Sequence, residues 1–168
     1  VTRDDARLTA ALGEASADLL AYLQRRVGLD DAPDLLGETM VVAWRRVREL
    51  PVEPERARMW LFGIARGTVL NHARGERRRW ALADRIRLDA SQRTASPAAD
   101  EGADVRDAIA RLEPDLAELV RLVHWERFTI AEAAEVLGVA ASTARGRYAK
   151  AKDALRAALG VEAVAPHP

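Results

Sequence analysis

Apolar residues recur at spacings of three and four along most of this chain, and no segment alternates cleanly between apolar and polar positions. That period belongs to helices packed through one face, so the pattern predicts an all-α protein. A first helix is expected from about Asp5 to Val27, with Leu8, Leu12, Leu19, Leu20 and Leu23 as its buried stripe and Gly28 as its stop. A second opens at Asp31-Ala32-Pro33-Asp34. There Asp31 is placed to cap, Pro33 sits in a first turn that needs no N–H, and Asp34 complements the helix dipole. Leu35, Leu36, Met40, Ala43, Val47 and Leu50 face inward, and Pro51 ends the helix. After a loop from Pro51 to Arg56, a third helix runs from about Ala57 to Arg79. Its apolar face is Trp60, Leu61, Ile64, Ala65, Thr68 and Val69.

From Ala81 to Ala103 the periodicity loosens. Ser91, Gln92, Thr94, Ser96 and their alanine neighbours are small or polar, too little apolar surface to offset the entropy of ordering them. Periodicity returns with Val105, Ile109 and Leu112, then Leu116, Leu119, Val120 and Val123, with Glu113-Pro114 between the two helices. Two further helical patterns flank Gly138-Val139. The expected architecture is two small helical domains joined by a flexible linker, the second a helix-turn-helix domain. The boundaries fall at 1–80, 81–103 and 104–160, with a disordered tail over 161–168.

Charge refines this picture through its distribution, since 26 basic and 26 acidic residues balance overall. Residues 1–40 hold four arginines and eight acids; residues 41–90 hold twelve arginines and six acids. A neutral chain with a basic middle can still present a phosphate-binding face. The absence of cysteine excludes disulfides and thiolate metal sites. Three scattered histidines, His72, His124 and His167, do not suggest a metal centre. No apolar run approaches the roughly 18 residues of a membrane span, and Arg3, Asp4, Asp5 and Arg7 break any early signal-peptide core. The expected compartment is the cytoplasm, with no membrane association and no cofactor.

The segment from Phe128 to Lys152 carries the sharpest chemistry. Thr129 and Glu132 form a capping-box pair at the start of a helix, and Ala133 and Ala134 are small where two helices must approach. Gly138 stands where the turn requires a left-handed backbone, and Val139 and Ala144 fill the angle. Ser142, Thr143, Arg145, Gly146, Arg147 and Lys150 then lie along a second helix, the geometry of a major-groove reader. A plain helical hairpin with solvated arginines would share the basic pattern, but not the combination of small pair, turn glycine and basic helix.

Two further groups stand in the first domain. One is the helix WLFGIARGTVLNHARGERRR, from Trp60 to Arg79, apolar in front and basic at its end. The other is acidic: Asp34 and Glu38 stand one turn apart, with Trp44 and Arg45 beyond them. Paired carboxylates can do acid–base work, but no nucleophile, partner histidine or glycine-rich phosphate loop accompanies them. An exposed docking face fits them better than an active site.

In this order, the three pieces resemble bacterial RNA polymerase sigma factors of the extracytoplasmic-function (ECF) group. DAPDLLGETMVVAWRR, from Asp31, is similar to their polymerase-binding helix; WLFGIAR through Asn71-His72, to their promoter-melting helix; and Val139 to Lys152, to their helix that reads the minus-thirty-five element. The resemblance covers roughly residues 5 to 160 and implies a non-enzymatic initiation factor. It implies that Asp34, Glu38, Trp44 and Arg45 bind the β′ clamp helices of core RNA polymerase. It implies that the Pro51–Arg56 loop captures a flipped minus-ten base. Arg58 and Trp60 would lie near the opened strand, and Asn71, His72, Arg74, Arg77 and Arg78 would touch duplex or phosphate upstream. Ser142, Thr143, Arg145, Gly146 and Arg147 would face the minus-thirty-five element, with Lys150 nearer phosphate. The linker would follow the path by which RNA leaves the polymerase, and an anti-sigma protein is a further partner the resemblance implies.

Several positions depart from the family pattern. Gly37 and Gly67 stand where polar residues are usual, Ala140 replaces a capping serine, and Gly146 interrupts the recognition helix. Ser142 is a candidate to replace the lost cap. Two other functions fit parts of the chain: a helix-turn-helix regulator independent of polymerase core, and a protein adaptor that has lost DNA binding. The regulator does not need the Asp34–Glu38 face or the tryptophan-led basic helix, and the adaptor would form protein complexes without salt-dependent DNA affinity.

Overall fold

The computed structural model describes residues 2–86 and 102–160. The segment 87–101 and the tail 161–168, most of the expected linker and all of the expected tail, lie outside the described residues. All regular structure among the described residues is helical: α1 Arg3–Val27, α2 Ala32–Arg45, a 3-10 turn Val47–Glu49, α3 Pro54–Ile86, α4 Ala103–Ala110, α5 Pro114–His124, α6 Ile130–Leu137 and α7 Ala141–Leu159. The chain divides into two units, one containing α1–α3 and the other α4–α7.

In the first unit the three long helices pack pairwise. Thr2 and Asp5 close a capping box on α1, and Gly28, at φ 91°, ends it by donating to the Gln24 carbonyl at 3.0 Å. Leu8, Leu12, Leu19 and Leu23 are buried as the period predicts, while Leu20 is half-buried; Ala15 and Tyr22 join the buried set. Tyr22 meets Phe62 of α3 edge to face at 5.3 Å, a favoured aromatic geometry. The buried hydroxyls of Thr39 and Thr68 lie 3.1 Å apart, each 2.7 Å from a carbonyl of its own helix, those of Leu35 and Ala65, so that one hydroxyl donates to its carbonyl while accepting from the other. No buried hydroxyl is left without a partner at this α2–α3 contact, which is the condition for burying it cheaply.

Three expectations need correction here. Asp31 does not cap α2: its backbone is itself helical (φ −88°, ψ −20°), so its carboxylate cannot turn back onto the first N–H groups. The second helix stops at Arg45 rather than Leu50. The Arg46 N–H is shared between the Val42 and Ala43 carbonyls, both at 3.1 Å, and the chain tightens into the 3-10 turn. Leu50, preceding Pro51, is then pushed to an extended conformation (φ −62°, ψ 118°). Finally, α3 spans 33 residues rather than 57–79. Pro54 begins it because a first-turn residue needs no N–H, and the Ala57 N–H reaches the Glu53 carbonyl at 2.9 Å.

The second unit is built around Ile109, Leu116, Ala117, Val120 and Ala151, with Leu112 and Leu155 packed against them. Val105, expected inside, is 42 % exposed; α4 buries Ala108 and Ile109 instead. Thr129 and Glu132 form the expected capping box on α6. Gly138 adopts φ 68°, and its N–H and that of Val139 close the end of α6 onto the Glu135 and Ala134 carbonyls. Ala133, Ala134 and Ala144 are buried where α6 and α7 meet, and Val139 is half-buried at the corner. This is a helix-turn-helix with α7 as its second helix.

Candidate nucleic-acid interface

On α2, burial of Ala32, Leu35, Thr39 and Ala43 turns the opposite side outward. Asp34, Gly37, Glu38, Val41, Trp44 and Arg45 are all exposed, at spacings of three and four that place them on one face. Trp44 is 42 % exposed and Val41 49 %. The face therefore joins two carboxylates to an apolar ridge, a composition suited to a protein partner rather than to water alone. Of the sequence-predicted set, Asp34, Glu38, Trp44 and Arg45 are brought together, and Val41 is the member the sequence reading missed.

The loop before α3 roofs a cleft of about 380 Å³ lined by Arg7, Ala11 and Glu14 of α1, Pro51 and Val52 of the loop, and Arg58 of α3, among others. Arg7 fixes this loop. Its Nη2 donates to the carbonyls of Leu50 (3.3 Å) and Pro51 (2.6 Å), while its Nη1 meets Asp4 at 3.1 Å. Nothing in the spacing of Arg7 announces that role; it depends on where the chain returns more than forty residues later. Val52, 76 % exposed, stands at the loop tip.

Along α3 the predicted residues separate into two groups. Arg58 and Trp60 belong to its first turns; Asn71, His72, Arg74, Arg77 and Arg78 lie towards its other end. At 1.5 Å per residue, Arg58 and Arg78 are about 30 Å apart along the axis. Arg58 pairs with Asp18 at 3.3 Å and lies over the Phe62 ring at 4.8 Å, bracing α3 against α1. Trp60 is half-buried rather than inward, with the Arg46 guanidinium 5.9 Å above it. The hydrogen bond between Arg46 and Glu49 raises the arginine pKa and lowers that of the carboxyl. Towards the basic end, Asn71 accepts from Arg74 at 2.7 Å, and half-buried His72 lies 3.6 Å from the Asp31 carboxylate. Arg77 and Arg78 are exposed and form no ion pair among the described residues. Arg79 binds Glu76, which lowers the pKa of that carboxyl.

On α7, Ala144 and Ala151 point into the unit, while Ser142, Thr143, Arg145, Gly146 and Lys150 are exposed and Arg147 is half-buried. Ala140 supplies no side-chain cap, and Ser142 does not replace it: its hydroxyl makes no hydrogen bond among the described residues. Ser142 lies within the helix, past the position from which a side chain reaches the second and third N–H groups. Arg145 has no ion pair among the described residues. Arg147 and Lys150 do: Arg147 meets Asp115 at 3.1 Å and Lys150 meets Glu113 at 3.0 Å. Both acids come from the start of α5, and the sequence reading missed both.

Among the described residues no cluster of metal-ligating side chains occurs and no helix is long and apolar enough to cross a membrane. Fold and surfaces together define an all-helical, two-unit, helix-turn-helix protein whose exposed helix faces are acidic–apolar on α2 and basic on α3 and α7. Two models of one family match it: Sigma-70 region 2 over residues 14–79 and Sigma-70, region 4 over residues 103–155. The chain is 26% identical to the ECF RNA polymerase sigma factor SigL of Mycobacterium tuberculosis, over 92% of this chain and 89% of that protein. It is 32% identical to the ECF RNA polymerase sigma factor BldN of Streptomyces coelicolor, over 70% of this chain and 47% of that protein. The fold is shared with the sigma factor RpoE solved in complex with the anti-sigma factor NepR from Bartonella quintana (TM-score 0.70, 23% identity, 92% of this chain and 98% of that one). It is shared also with CnrH in complex with the cytosolic domain of CnrY (TM-score 0.61, 21% identity, 93% and 89%). This chain belongs to the sigma-70 family, in its ECF group. It is a sigma factor, not an enzyme: it binds core RNA polymerase and DNA and promotes transcription initiation through its region 2 and region 4 domains.

Proposed function

We propose that the division of labour follows the exposed helix faces. The Asp34–Glu38–Val41–Trp44–Arg45 face of α2 docks on the β′ clamp helices of core polymerase. The cleft beneath the Pro51 loop receives one unstacked base of the minus-ten element, and Arg58 and Trp60 lie along the opened strand. The basic end of α3, with Asn71, His72, Arg74, Arg77 and Arg78, touches duplex and phosphate just upstream. The exposed side of α7 reads the minus-thirty-five element through Ser142, Thr143, Arg145, Gly146 and Arg147, with Lys150 on phosphate. The domain limits remain those drawn from the sequence, and the linker tethers the two readers so that each raises the other's effective concentration on a promoter. An anti-sigma protein is the proposed inhibitor, a class of partner seen with the solved sigma factor of Bartonella quintana. Such work takes place in the cytoplasm.

The observation that carries this reading is the partition of α7. Ala144 and Ala151 hold it in the core, and a run of small hydroxyl and cationic residues occupies its open side, directly after the Gly138 turn. Arginine can grip guanine O6 and N7 together, and hydroxyls bond several base edges, so this side has the donors that major-groove reading requires.

The base-capture step is tested through Arg7, which lines the cleft and pins the loop over it. Arg7→Ala removes the two bonds that fix the Pro51 loop. In holoenzyme on a promoter, permanganate reactivity of minus-ten thymines is expected to fall about three- to tenfold, equivalent to roughly 1 kcal/mol of loop positioning. Affinity for core polymerase should be unchanged. Full thymine reactivity in the variant would exclude the cleft as the base pocket.

A further inference from the structure

The two ion pairs between α5 and α7 are not equivalent. Asp115 and Arg147 form the more sheltered one, with the arginine side chain 34% exposed. Glu113 and Lys150 are both largely in water, at 68% and 63% exposure. Their partners lie 37 residues apart, so this contact crosses between helices rather than joining neighbours on one helix. Glu113 stands at the N-cap position of α5 yet makes no capping hydrogen bond with its side chain. The carboxylate gains from the positive end of the α5 dipole, but it also stands beside a helix whose open side is built for a polyanion. There a negative charge opposes the ligand.

We infer that Glu113 is a built-in competitor for the DNA phosphate that Lys150 holds, occupying the ammonium in the free chain and yielding it when duplex docks. Asp115 has the other role: it orients the half-buried Arg147 on the side of α7 that reads the minus-thirty-five element. The inference rests on α7 being the minus-thirty-five reader. Its consequence is that the upstream contact is weaker, and less dependent on salt, than the cations of α7 alone would make it. A lysine already neutralised by a carboxylate contributes less counterion release on binding DNA.

The test is promoter-complex formation by intact holoenzyme, measured across a salt series with Glu113→Gln. The variant keeps the shape of the side chain and removes its charge. Affinity is expected to rise about two- to fivefold at low salt, the scale of an exposed ion pair. The plot of log affinity against log salt should steepen by up to about 0.9, one phosphate's worth. In a Lys150→Gln background the gain from Glu113→Gln should shrink, because the lysine it frees is gone. Unchanged or weaker binding by Glu113→Gln would overturn the inference, as would an equal gain in both backgrounds. Arg145→Ala in the same assay separates the two levels. Loss of discrimination for the upstream element upholds α7 as the reader, so that a flat Glu113→Gln result condemns only the competitor; unchanged discrimination would overturn both.

Discussion

At the scale of single residues, α7, the proposed reader, is governed by what its side chains leave out as much as by what they offer. Gly146 lies on the exposed side of α7, and a Cβ built on it meets nothing within 4 Å. Within the free chain it therefore has no packing reason to be glycine, and it weakens the helix by roughly 0.8–1 kcal/mol relative to alanine. Under the proposed reading of α7, close approach of the DNA backbone is what the glycine would permit. Gly146→Ala is expected to raise the stability of the second unit by up to about 1 kcal/mol in thermal unfolding, while lowering transcription from promoters with an intact minus-thirty-five element. A stabilised variant with undiminished promoter use would dismiss the close approach. Gly138 is a different case: at φ 68° its glycine is required by the turn itself.

At the scale of elements, each helix was legible where its signals were local. Gly28, the Thr129–Glu132 box and Gly138 punctuate the chain within a few residues of where they act, and the structure ends or begins helices at each of them. The buried stripes of α1 and α3 followed in the main from spacing, although Leu20, Trp60 and Val69 are only half-buried and the buried Tyr22 and Phe62 were missed. The end of α2 was misread because Val47 and Leu50 continue its apolar period into a 3-10 turn, where Pro51 rather than periodicity sets the geometry. Ion pairs such as Arg58–Asp18, Arg147–Asp115 and Lys150–Glu113 depend on tertiary placement, and no spacing rule reveals them. The exposed face of α2, proposed as a docking face, was legible as a carboxylate pair, but its exposed Val41 emerged only from burial. Asp34→Ala together with Glu38→Ala should weaken binding to core polymerase by about tenfold, on the order of 1.4 kcal/mol, and steepest at low salt. Promoter discrimination by whatever holoenzyme still forms should be intact. Unaltered core affinity would remove α2 from that contact.

At the scale of the molecule, the two units present unlike surfaces. The first combines an acidic–apolar helix face, a cleft under an arginine-pinned loop and a basic helix end; the second offers one cationic helix whose charge is partly neutralised from within. A sigma factor acts by lending its contacts to the polymerase. Membership of the sigma-70 family follows from both regions matching in order along one chain, and the ECF group from the likeness to SigL and BldN. The finer account claims that the second unit reads an upstream element through α7 while the first holds core polymerase and the melted strand. The most direct test combines this protein with core RNA polymerase, transcribes genomic fragments, maps the transcript starts, and repeats the experiment with Arg145→Ala. The account predicts stoichiometric holoenzyme and starts preceded by two shared elements. It also predicts that the variant keeps core binding and loses about five- to a hundredfold of its preference for the upstream element, the 1–3 kcal/mol range of one bidentate base contact. Starts without a shared upstream element, or a variant that loses core binding and promoter preference together, would contradict it.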